Sequence, residues 1–216
     1  MKSKAELIVL NHTKFGENSI VLHTLSEEYG RRGFLVKVGP RTAMAMFLPL
    51  NILEAEVTEN PKSDLWFARN FVSVTPLNGI RSNLHKNTMT LFMSEVLYRV
   101  VKDQTNEDGL ASWLKGQILT LDALQSDFAN FHLWFLLELC TALGFDPDTA
   151  GLAPFAEERL KQLEVLLTKP FSEVMLFPLS GAERNAIAES ILRYIEFHTE
   201  SAVNVRSLAV LREIYG

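Results

Sequence analysis

Cysteine is nearly absent from this 216-residue chain. A single thiol, Cys140, excludes an intramolecular disulfide and a cysteine-rich zinc site. It sits in an apolar run, where a thiol is expected to be buried and inert. Long hydrophobic runs are missing too. The longest apolar stretch, residues 131–143, is interrupted by His132 and Glu138 and is too short to span a bilayer. The opening MKSKAELIVL is too short in its apolar part for a secretory signal, so a soluble, cytoplasmic chain is expected. Catalytic signatures are also lacking. There is no G-x-S-x-G elbow, no phosphate-binding glycine loop and no H-E-x-x-H pair. The five histidines, His12, His23, His85, His132 and His198, do not stand at metal-ligand spacing. Glu27 and Glu28 are adjacent in a turn, and Glu54 and Glu56 share the outer face of one strand; neither pair reads as an acid–base couple. No enzyme, cofactor or metal is expected.

A strongly basic balance is missing as well, since the net charge is −5. The charge is uneven, however. Residues 1–45 carry seven Lys/Arg against four Asp/Glu, and residues 81–216 carry twelve against eighteen. Polyanion binding, if the chain has it, is local to the first part.

What is present begins with alternation. Residues 19–50 read as a strand, a charged turn, a second strand and a basic loop. Ile20, Leu22 and Thr24 alternate with Val21, His23 and Leu25, and Phe34, Val36 and Val38 alternate with Leu35, Lys37 and Gly39. Gly30 and Gly33 are read as supplying positive φ where the chain reverses, with Arg31 and Arg32 in that reversal. Further strands are expected at 6–12, 51–58 and 65–74. Five short strands at close turn spacing indicate a small barrel, here an OB-type barrel, with an SH3-like barrel as the other architecture of similar strand count.

From about residue 79 the period becomes helical. Helices are expected at 84–102, 110–123, 128–143, 154–167, 180–199 and 203–215. A break lies at 106–109, and 171–179 is left unassigned. Asp127 is the candidate N-cap and Gly144 the candidate C′ residue of the third helix. That helix is apolar nearly all round and is expected to be buried on all sides. Ser180 and Glu183 form a capping-box pattern. The fold class is therefore α+β, all-β then all-α: a five-stranded OB-type barrel over 1–78 and a helical domain over 79–216.

The candidate binding residues are Lys14, Arg31, Arg32, Lys37 and Arg41, which lie in or beside the loops of the barrel. Lys and Arg there suit phosphate contact, and Phe15, Tyr29 and Phe34 are placed where bases could stack. Core packing is the competing role for Phe34, and packing on its own strand for Tyr29.

Read together, ELIVLNHTKFGENSIVLHTLSEEYGRRGFLVKVGPR, LPLNILEAEV, SDL at 63–65, FHLWFLLELCTALGFDPD and VRSLAVLREIY resemble, in order and spacing, the RecO family of bacterial recombination mediators. The resemblance spans most of the chain. It implies an OB-fold followed by a helical domain. It also implies binding of single- and double-stranded DNA and annealing of complementary strands. With RecR, members help load RecA onto DNA coated by single-stranded-DNA-binding protein, whose acidic, apolar C-terminal tail docks on the helical domain. Arg99 and Lys115 are the candidate cations for that groove. Many members hold zinc through four cysteines after the central helix. Residues 145–177 contain none here, so no zinc is expected. The loop after the third strand, richer in Lys/Arg in the family, is GPRTAMAM with Arg41 alone. A protein adaptor that uses the barrel as a subunit interface is the alternative function.

Overall fold

The computed structural model describes residues 2–105 and 107–215. Asn106, expected in a helix break, lies outside them, as do Met1 and Gly216 at the ends of the two expected domains. The described chain forms two compact units. One comprises Met1–Asn78 and Val101–Ile118, the other Gly79–Val100 and Leu119–Gly216.

The first unit is a closed barrel of β1 (Lys2–Lys14), β2 (Ser19–Ser26), β3 (Gly30–Lys37), β4 (Ile52–Thr58) and β5 (Leu65–Ser73). The strand order is β1-β2-β3-β5-β4. The period-2 pattern fixes which side chains point inward: Leu7, Val9, Leu22, Phe34, Val36, Leu53, Ala55 and Val57 form its core. A 3-10 turn, Met44–Phe47, drives Phe47 into that core, edge-to-face with Phe71 at 5.1 Å. Closure is thin. β3 and β5 run parallel and pair only where Gly33, Phe34 and Leu35 meet Leu65, Trp66 and Phe67.

Glycine does two different jobs in this hairpin. Gly30 has φ +59 and makes the reversal, as expected. Gly33 does not. It lies within β3, where a Cβ would crowd the tip of the Leu65 side chain at 2.9 Å. Residues 101–118 belong to the barrel's unit through specific anchors. Glu27 accepts hydrogen bonds from the Gly109 and Ser112 amides and the Ser112 hydroxyl. A carboxylate from the β2–β3 turn thus caps the helix beginning at Leu110. Lys115 binds both carboxylate oxygens of Glu6, at 2.7 and 2.8 Å.

The second unit is helical. In chain order the helices are the short α1 (Asn78–Arg81), α2 (Leu84–Val100), α3 (Leu110–Ala123), most of which belongs to the barrel's unit, α4 (Phe131–Ala142), α5 (Thr149–Ala156), α6 (Leu160–Thr168), α7 (Phe171–Leu176), α8 (Gly181–Thr199) and α9 (Ser207–Tyr215). The unit boundary falls within α3, after Ile118. Helix α4 is buried on nearly every side from Phe131 to Cys140, where Trp134 and Glu138 are half-buried, and it emerges at its last turn, where Thr141 is exposed. It starts at Phe131, not 128: Asp127 takes φ 55 and Asn130 precedes the helix. Asn130 is buried and donates to the Val174 and Phe177 carbonyls, tying down the segment after α6.

The region expected as one helix over 154–167 is two. Asp148 caps α5 through the Gly151 amide at 2.6 Å, so the helix opens at Thr149 in what reads as a loop. Glu157 at φ 50 then breaks the chain before α6. Phe171–Leu176, unassigned from sequence, is the short α7. The Ser180–Glu183 capping box forms in full, and Gly144 takes φ +86 after α4.

Candidate nucleic-acid interface

The barrel has two cationic ends, and the five candidate residues divide between them. At one rim, β1 ends at Lys14, which pairs with Ile20, and β3 ends at Lys37, which pairs with Ser19. Both flank the start of β2. Arg41 follows in the loop after β3, which Thr42 holds by accepting from the Gly39 amide and donating its own N–H to the Gly39 carbonyl, each at 2.9 Å. Lys14, Lys37 and Arg41 are exposed, and no ion pair is formed by any of them among the described residues. Phe15, beside Lys14, is 52% exposed.

Lys37 and Arg41 stand at the edge of a cleft of about 680 Å³. It opens where β3 and β5 part after their last pair. Val36, Ala68, Phe47 and Phe71 line its floor, and Phe67 and Arg69 its outer wall. Arg69 also bonds Glu56 across the β4–β5 pair, at 3.1 Å through both Nε and Nη2. The Asn70 side chain first, and then Arg69, hold the Glu56 carboxyl below the usual range. Neither Phe67 nor Arg69 stands out in the sequence. The signal was the outward parity of residues 67 and 69 in a strand with weak alternation.

The other end is different. Arg31 and Arg32 lie in β3 rather than in the reversal, opposite Leu25 and Thr24. Arg31 is 7% exposed. Its guanidinium donates to the Val101 carbonyl and pairs with Asp103 at 3.1 Å. Its backbone exchanges bonds with Gln104 and Thr105 at 2.9 and 3.1 Å. Arg31 is therefore a clamp on residues 101–105, and it corrects the reading of a solvent-facing phosphate contact. Arg32 lies over Trp66, its Cζ 4.0 Å from the ring centroid, beside a cleft of about 420 Å³ that also holds Lys62, Asp64 and Gln104. Lys37 lies six positions beyond Arg31, roughly 20 Å of strand at about 3.3 Å per residue. The structure thus groups Lys14, Lys37 and Arg41 and sets Arg31 and Arg32 apart. The expected stacking aromatics separate as well. Phe34 is fully buried in the core, and Tyr29 is half-buried, bonded to Ser3 at 2.7 Å and edge-on to Trp66.

In the helical unit, a small pocket lies between α4, α8 and α9, lined by His132, Arg184, Asn185, Leu208, Leu211 and Arg212. Burial first, and the Arg184 charge second, push the His132 imidazole down to about 3, so it is neutral at ordinary pH. Burial pushes the Cys140 thiol up to about 12. Among the described residues no group of three His, Cys, Asp or Glu could hold a metal.

Two family models match the chain: "Recombination protein O N terminal" over residues 1–74 and "Recombination protein O C terminal" over residues 81–151. Curated relatives match from end to end. Proteins named DNA repair protein RecO are 26% identical in Phocaeicola vulgatus, 28% in Bacteroides fragilis and 26% in Flavobacterium psychrophilum. Each comparison covers 100% of both chains.

Proposed function

The chain belongs to the RecO family, and from that premise we propose that it is a non-enzymatic mediator of DNA repair and homologous recombination. In this reading it acts in the cytoplasm, at the nucleoid, binds single- and double-stranded DNA and anneals complementary strands. With RecR it helps load RecA onto DNA covered by single-stranded-DNA-binding protein. DNA contact belongs to the barrel, residues 1–78, and partner recognition to the helical part, residues 79–216.

The observation that carries the DNA reading is the rim of exposed cations Lys14, Lys37 and Arg41, which form no ion pair among the described residues. Each can take a phosphate without first breaking an ion pair. Arg32, lying over Trp66, offers a second and separate contact. The chain's net charge of −5 repels a polyanion elsewhere, which makes the local rim decisive. For the acidic, apolar tail of single-stranded-DNA-binding protein, the pocket at Leu208 and Leu211 with Arg184 and Arg212 supplies the matching chemistry. Lys115 is a poorer candidate, because Glu6 already occupies it. No metal or cofactor enters the mechanism; the work is phosphate capture, counterion release and juxtaposition of strands.

The test is fluorescence anisotropy of the full chain with a labelled single strand across a salt series. A linear loss of affinity in log–log form is expected, with a slope near −0.7 for each phosphate held, about −2 for the three rim cations. Absence of binding at low salt would shift the reading to an adaptor that meets DNA only through its partners.

A further inference from the structure

The cleft beside Lys37 has a property that phosphate binding does not use: it lies along an unfinished seam of the barrel. β5 runs from Leu65 to Ser73, yet β3 pairs with it only as far as Leu35 and Phe67. Beyond that point β5 is paired on its β4 side alone. On the other edge, the Val38 amide donates to Asn18, toward β2, at 3.0 Å. Successive residues of an antiparallel strand present their polar groups to opposite sides, so Lys37 directs its N–H and C=O toward the seam. These are groups that an added strand satisfies.

The side chains around the seam also follow a period of two. Val36 and Ala68 face inward and belong to the barrel core, with Met46 and Phe71 packed against it. Lys37, Phe67 and Arg69 face outward and are exposed, and Arg41 stands at the mouth. A segment lying in the seam therefore meets an apolar floor with one side-chain row and a cationic rim with the other. Nucleobases fit that floor badly, since their polar edges would be buried against Val36, Phe47 and Phe71 without partners.

We propose that the seam is a docking site for an extended peptide whose residues alternate apolar and acidic, added as a strand beside β3 with its apolar row over Phe47 and Phe71 and its carboxylates on Lys37 and Arg41. The open edge of β5 past Phe67 reaches Ser73, roughly 20 Å of chain, and bends at the bulge where Asn70 takes φ 56. The site shares Lys37 and Arg41 with the DNA rim, so peptide and single strand compete there, while its apolar floor and strand pairing serve the peptide alone.

The experiment uses the full chain and a fluorescent eight-residue probe alternating Asp with Val and Phe. A second probe of the same composition has its acidic and apolar residues in separate blocks. The alternating probe is expected to bind at least tenfold more tightly and to slow amide hydrogen exchange at Lys37. N-methylation of alternate amides on the face that meets β3 is expected to abolish binding. The double substitution Lys37→Glu with Arg41→Glu is expected to weaken the probe at least tenfold, and Phe67→Ala, at an exposed position, several-fold. Equal binding of the two probes, or unchanged affinity in both variants, would overturn the proposal. So would a single-stranded oligonucleotide that protects the Lys37 amide while the peptide does not, since that would assign the seam to nucleic acid.

Discussion

Arg31 and Arg41 lie ten positions apart on the same basic stretch, and the fold sends them to opposite ends of the barrel with opposite fates. Arg41 is exposed beside Lys37 on an open rim. Arg31 is buried, its guanidinium committed to Val101 and Asp103. The contrast shows that positive charge near a turn has two uses. An exposed cation that forms no ion pair among the described residues is held ready for phosphate. A cation buried against a returning segment is structural, because leaving its partners unpaired is costly.

Removing the buried cation gives the largest expected effect. Arg31→Ala should destabilise the chain by roughly 1–3 kcal/mol, because the Val101 carbonyl loses its charged donor and the buried side chain leaves a gap, while the exposed Asp103 stays solvated. Chemical denaturation measures this, and the salt slope of DNA binding should not change. A stable Arg31→Ala protein with a flattened slope would erase the distinction between the two ends.

His132 offers a second buried polar group, in the helical unit and handled differently: burial keeps it neutral. Its folded pKa of about 3 lies below its ordinary 6.5. Below pH 6.5 the unfolded chain takes a proton that the folded chain refuses. Stability contributed by the neutral imidazole is therefore full above that value and falls as pH drops toward about 3. The slope is about 1.4 kcal/mol per pH unit at most. Urea unfolding at pH 7, 6 and 5 should show the loss, and His132→Phe should reduce the pH slope. The comparison is the slope, since the substitution also changes packing.

Reversing the exposed pair should leave stability almost untouched. Lys37→Glu with Arg41→Glu is expected within about 0.5 kcal/mol of the parent by denaturation, as for surface positions away from buried networks. Smaller again is the expected effect of Lys14→Ala on DNA affinity, a few-fold at low salt, read by anisotropy. If Lys14 alone carried most of the binding, the rim would be a single contact and not a set.

Much of the fold is legible because local chemistry and tertiary demand agree. The alternation at residues 20–25 and 34–38, the reversal at Gly30 and the Ser180–Glu183 box all appear where the residues require them. Legibility fails where a distant segment decides. Nothing in the sequence near Gly33 announces that Leu65 will press against it. Glu157 at φ 50 breaks a region whose apolar spacing reads as one helix, and Asp148 starts α5 earlier than its apolar pattern does. Residues 101–118 have ordinary helical and turn character, and their attachment to the barrel depends on Glu6, Glu27 and Arg31 far away in the chain. The same reason governs the site. Lys14, Lys37 and Arg41 are visible as charges, but which cation stays exposed depends on where 101–105 returns. Phe67 and Arg69 become part of the cleft only because β3 and β5 separate after three pairs.

The most direct measurement is the salt dependence of single-strand binding for the parent chain and for the Lys37→Glu, Arg41→Glu double variant, side by side. Loss of two phosphate contacts should weaken binding at least tenfold at low salt and make the log–log slope shallower by about 1.4. An unchanged affinity and slope in a folded double variant would contradict the account and remove the open rim from the DNA interface.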